Sequence, residues 1–85
     1  MTGRWLLDPQ VAIRPEPFGA LAYHYGNRRL TFLRSDDLVE VVRALGEHDS
    51  VDAALEAVGV ERRRWPSFER ALESLAESEV IRPRA

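Results

Sequence analysis

The chain contains no cysteine and no lysine, and its N-terminus has no apolar run longer than Trp5-Leu6-Leu7. Without cysteine there is no disulfide framework and no thiolate metal site. The apolar run is far too short for a signal peptide or a membrane span, so a cytoplasmic protein is expected. All 12 basic residues are arginine, a bias we attribute to GC-rich coding. Physically, every cation is then a planar, permanently charged fork suited to carboxylates. Charge of one sign is also in short supply. The 12 basic residues face 14 acidic ones, for a net charge of -2, so no overall field favours nucleic acid or an acidic membrane.

What is present fits one small domain, 1–85. A chain this short buries only roughly 60–65% of its unfolded surface, enough for one modest core and a shallow groove. It has little room for a deep catalytic cavity. The 45% apolar content is that of a globular chain.

The pattern changes period along the chain. Residues 1–10 read as an extended arm, with a turn at Asp8-Pro9. Residues 11–34 read as three antiparallel strands: Val11–Arg14, ended by Pro15 and Pro17; Phe18–Tyr25; and Arg28–Arg34. Gly26-Asn27 predicts a two-residue type II′ hairpin. That turn sets Tyr25 opposite Arg28, Tyr23 opposite Leu30 and Leu21 opposite Phe32, on the face expected to meet the core. Ala20, Ala22, His24, Arg29, Thr31 and Leu33 then form the outer face.

Residues 35–80 follow helical spacing. Ser35 caps a first helix with the stripe Leu38, Val41, Val42, Leu45. Ser50 caps a second, with the stripe Val51, Ala54, Leu55, Val58 and a stop at Gly59. The third runs from about Arg62 to Glu79, its regular part starting at Trp65 because Pro66 suits only a first turn. The fold class is therefore α+β, a winged helix-turn-helix-like order of a three-stranded antiparallel sheet followed by three helices.

Two features bear on function. The third sheet strand contains no proline or glycine, so at a sheet edge it offers free amides and carbonyls to an incoming extended peptide. The third helix carries small residues, Ser67, Ala71, Ser74 and Ser78, beside its apolar stripe Phe68, Leu72, Leu75. Small residues let another chain approach closely. Arg62, Arg63 and Arg64, with Arg28, Arg29 and Arg34, suggest a basic rim for an acidic peptide. Ordinary edge protection and ordinary helix packing account for the same residues equally well.

A DNA-binding winged helix is the alternative, but the exposed residues of its recognition helix would be Glu69, Arg70, Glu73, Ser74 and Glu77, which phosphates repel. The open edge also suits self-pairing into a homodimer. No acid–base pair, metal-ligand spacing or phosphate loop is present, so no enzyme is expected.

Two segments carry a family resemblance. Val11–Gly26 (VAIRPEPFGALAYHYG) with Arg28–Leu33 (RRLTFL), and Arg64–Leu72 (RWPSFERAL) with Ile81-Arg82-Pro83, resemble the MftB family, the small peptide chaperones of mycofactocin biosynthesis. The block Arg14–Ala20 (RPEPFGA) is its specific part; the N-terminal arm and the second helix match loosely. That family is similar to the PqqD-like chaperones of the pyrroloquinoline quinone pathway, and both are recognition elements for ribosomally made, modified peptides.

The resemblance implies capture of the precursor's leader as an added strand, and presentation of it to a radical S-adenosylmethionine maturase. The clusters and S-adenosylmethionine belong to that partner; this chain is expected to need no cofactor. Carried onto this sequence, the peptide-binding residues are Arg28, Arg29, Leu30, Thr31, Phe32 and Leu33 on the strand. On the helix side they are Arg64, Ser67, Phe68, Ala71, Ser74 and Leu75.

Overall fold

In the computed structural model, which describes residues 1–84, the chain opens with a short strand, β1 (Trp5–Leu7). Three strands follow, β2 (Val11–Glu16), β3 (Gly19–His24) and β4 (Leu30–Leu33), forming an antiparallel sheet in the order β2-β3-β4. Then come α1 (Asp36–Ala44), α2 (Val51–Val58), α3 (Trp65–Glu77) and a last strand, β5 (Ile81–Pro83). This is the α+β order of a three-stranded sheet followed by three helices. The N-terminal segment is tied to the C-terminal one: β1 pairs antiparallel with β5, Leu6 opposite Arg82, in a separate two-stranded sheet.

The helix ends follow the local chemistry. Ser35 Oγ accepts from the Leu38 amide at 3.1 Å and Ser50 Oγ from the Ala53 amide at 3.0 Å, each satisfying an amide the helix leaves free. Gly59 closes α2 in the left-handed region, at φ 88°. A 3-10 turn over Arg62–Arg64 leads into α3, where Pro66 sits in the first turn and lacks only an amide that would have no partner there.

The strand register matches the sequence reading: Leu21 pairs with Phe32 and Tyr23 with Leu30. The choice of face does not. Ala20, Ala22, His24 and Leu33 are the buried side, while Leu30 and Phe32 face outward. The expected core face is the solvent face. The physical reason is that α1 packs against β3 and β4, and the methyl side chains of Ala20 and Ala22 admit it closely. The larger residues on the other side are left uncovered.

Two further expectations are corrected. The hairpin is not a two-residue turn. Tyr25, Gly26, Asn27 and Arg28 form the loop, with His24 N donating to Arg29 O (3.0 Å) and Arg28 N to His24 O (2.8 Å). Arg28, at φ 62°, takes the left-handed position assigned to glycine. The first sheet strand also continues through Pro15 to Glu16; it is an edge strand, where a missing amide is tolerated.

The core runs from Val11, Ala20, Ala22 and Leu33 on the sheet, through Val41, Val42 and Leu45 of the first helical segment, to Leu55, Phe68, Leu72 and Leu75. Gly19 is required where the sheet closes on the start of α1. Its φ is 141°, and a Cβ there would strike the Leu33 carbonyl.

Candidate functional site: an open strand beside a groove

β4 pairs only with β3, so its other edge is free among the described residues. The hydrogen bond from His24 N to Arg29 O fixes which groups face that edge. Alternation turns the amides and carbonyls of Thr31 and Leu33 toward β3, and those of Leu30, Phe32 and Arg34 outward. The start of β4 is held by the hairpin loop. His24 is 6% exposed, and its Nδ1 accepts from the amides of Gly26 (2.9 Å) and Asn27 (3.1 Å). That places the proton of the neutral ring on Nε2, which faces Asp8 Oδ2 at 3.7 Å. Asn27 Oδ1 in turn accepts from the Arg29 amide, and its Nδ2 donates to Glu79 Oε2 (each 2.9 Å).

A cleft runs between the open edge and α3. One part, about 270 Å³, is lined by Arg34, Ser35, Leu38, Arg64, Ser67, Phe68 and Ala71. The next, about 240 Å³, is lined by Thr31, Phe32, Arg34, Leu38, Ala71, Ser74 and Leu75. Arg34, Leu38 and Ala71 are common to both, so the two form one groove along the strand. Each is smaller than a typical small-molecule site of roughly 300–1,000 Å³. The pair has the form of successive side-chain pockets beside a strand edge. Ala71 and the two serines keep the helix wall low, and Leu38, Phe68 and Leu75 make the floor apolar.

Arg64 marks the end of the groove near the start of α3, and Arg34 stands where its two parts meet. Arg64 Nη1 meets Asp37 Oδ2 at 3.1 Å, joining α3 to α1, and the guanidinium lies 5.1 Å from the Phe68 ring centre. Arg34 lies 5.5 Å from the Phe32 ring and has no carboxylate partner among the described residues. Arg62 stacks on Trp65 at 4.6 Å, and Arg63 pairs with Glu61 at 3.4 Å. The cluster at 62–64 is therefore partly committed within the fold.

Of the sequence-derived residues, the groove gathers Thr31, Phe32, Arg64, Ser67, Phe68, Ala71, Ser74 and Leu75. Arg28 belongs to the hairpin loop and Arg29 follows it. Leu30 presents its backbone to the edge but its side chain to the outer sheet face, and Leu33 is fully buried in the core. Sequence reasoning left Ser35 and Leu38 out, and kept Arg34 only as rim. Leu38 fits the core stripe of α1, and nothing local shows that its position borders a cleft.

The model of the peptide chaperone MftB family matches residues 4–82. The chain is 46% identical over 79 residues to the peptide chaperone MftB of Mycobacterium ulcerans (strain Agy99), covering 93% of this chain and 72% of that protein. It is 46% identical over 79 residues to that of Mycolicibacterium smegmatis, covering 93% and 78%. To that of Mycobacterium tuberculosis (strain H37Rv) it is 42% identical over 80 residues, covering 94% and 73%. Among solved structures, it superposes on E. coli MccB crystallised with AMPCPP and MccA with a TM-score of 0.66, at 19% identity. That match covers 96% of this chain but 23% of MccB, and it is a likeness of fold.

Proposed function

The chain belongs to the peptide chaperone MftB family, binding proteins rather than enzymes, and from that premise we propose how it holds its peptide. The peptide is the leader of the mycofactocin precursor. It adds as a fourth strand to β4, bonding to the outward amides and carbonyls of Leu30, Phe32 and Arg34. Main-chain bonds supply register and much of the affinity; the pockets beside alternate side chains supply selectivity. The bound leader is then presented to a radical S-adenosylmethionine maturase, which carries the cofactors.

One observation carries this reading. The edge of β4 that is unpaired among the described residues borders a groove whose floor is apolar and whose helix wall is built from Ser67, Ala71 and Ser74. Strand addition leaves alternate peptide side chains pointing into that groove, where Leu38, Phe68 and Leu75 favour apolar ones. Arg34, where the two parts of the groove meet, and Arg64 at one end favour a carboxylate.

Calorimetric titration with a synthetic leader tests the reading. One-to-one binding is expected. It should be lost when the leader's apolar residues are changed to serine, and be weaker when its acidic residues are neutralised. Absence of binding, with binding to duplex DNA instead, would replace this reading by the winged-helix regulator.

A further inference from the structure

The sheet has a second surface, on the side away from the helices, that shares only Phe32 with the groove. Phe18, Tyr25, Leu30 and Phe32 are 44%, 62%, 63% and 54% exposed, all toward the side away from the helices. Half-buried Leu21 and Tyr23 join them. The aromatic rings are mutually braced: Phe18 packs edge-on to Phe32 at 5.6 Å, and Tyr23 to Tyr25 at 5.2 Å. Between them Ala12, Arg14, Leu21, Tyr23, Tyr25 and Leu30 line a hollow of about 370 Å³. A contiguous patch of large apolar side chains on so small a domain marks an interaction site, and aromatic anchors around a hollow are the usual centre of one.

The surrounding charge decides what covers it. Arg28 sits in the loop at the hairpin end and Arg34 at the other, neither with a carboxylate partner among the described residues; Arg14 is paired with Glu16 at 2.9 Å. A second copy would set arginine against arginine. The complementary surface is apolar at its centre and acidic at its rim. A strand added to β4 would also widen this face, laying alternate peptide side chains beside Leu30 and Phe32. The surface is then complete only when the peptide is loaded, which suits a partner that acts on the peptide.

Resting on the proposed function, we propose that this outer sheet face docks the maturase, leaving the groove to the leader. The maturase contributes an apolar patch rimmed by carboxylates. Leader binding strengthens the contact.

The test uses Phe18→Ser with Tyr25→Ser, two positions outside β4 and outside the groove. Affinity for the purified maturase and for synthetic leader is measured separately by calorimetry, with folding checked by circular dichroism. The account expects maturase affinity to fall at least about ten-fold while leader affinity stays within about two-fold. Wild type should bind the maturase more tightly when the leader is present. Unchanged maturase binding by the variant overturns the inference while leaving leader capture intact. Equal loss of both affinities, or a variant that no longer folds, also overturns it, since the face would then be part of the groove or of the core. A wild-type protein that binds neither component removes the proposed function itself. Concentration-dependent dimerisation abolished by the substitutions would assign the face to a second copy instead.

Discussion

Phe32 and Leu33 are adjacent on β4 and serve opposite sides of it: Phe32 is 54% exposed beside the groove, and Leu33 is 0% exposed in the core. Their stabilities on truncation should differ accordingly. Leu33→Ala is expected to cost about 2–5 kcal/mol, from lost burial and an unfilled cavity. Phe32→Ser should cost less than about 1 kcal/mol. Urea unfolding of both variants checks the order; a costlier Phe32 change would restore the face assignment expected from sequence.

Ala71 borders both parts of the groove and is half-buried. Ala71→Phe should fill the cleft without disturbing the buried stripe of α3. Leader affinity is expected to drop about ten-fold or more, an energetic change of roughly 1.4 kcal/mol or above. The melting temperature should move little. Calorimetry with parallel thermal melts reads both quantities, and undiminished affinity would place the peptide elsewhere.

The outward amides predict a position-dependent effect of proline. Leu30→Pro and Phe32→Pro remove edge donors and should abolish leader binding while circular dichroism remains native. Thr31→Pro removes a donor to β3 and should instead unfold the sheet. A folded Phe32→Pro protein that binds normally would rule out strand addition there.

Arg28 and Arg29 lie outside the groove, so their effect should be one of attraction at a distance. Arg28→Glu with Arg29→Glu should weaken leader binding more at low ionic strength than at high, because salt shortens the reach of exposed charges to about 10 Å at 0.1 M. Titrations at two salt concentrations test this; salt-independent weakening would mean direct contact.

Much of the fold was legible locally. Ser35, Ser50, Gly59 and Pro66 act at the helix ends through their own chemistry. The pairing register read from the Gly26-Asn27 turn is the observed one because the longer loop over Tyr25–Arg28 is centred on the same two residues and leaves Tyr23 opposite Leu30. The face of the sheet was not legible for a specific reason. Both sides of β3 and β4 carry apolar residues, and size argues for burying Leu21, Tyr23, Leu30 and Phe32. The helices select the alanines instead, and a surface kept open for a partner looks in sequence like a core. The loop escaped local reading because its local bonds, His24 Nδ1 to the Gly26 and Asn27 amides, form on a ring and an amide that are also held from outside, by Asp8 at 3.7 Å and Glu79 Oε2 at 2.9 Å. On the groove, the strand edge and the small helix residues were visible, since strand composition and helical spacing are local. That Leu38 joins them depends on how α1 crosses β4.

The most direct measurement is an amide-shift titration of isotope-labelled protein with synthetic leader. The account predicts large shifts at Leu30, Phe32 and Arg34, smaller ones at Ser67, Ala71 and Ser74, and slowed hydrogen exchange at the Leu30, Phe32 and Arg34 amides once the fourth strand is in place. Shifts confined to β1, β5 and α2, with those amides still exchanging freely, would contradict it.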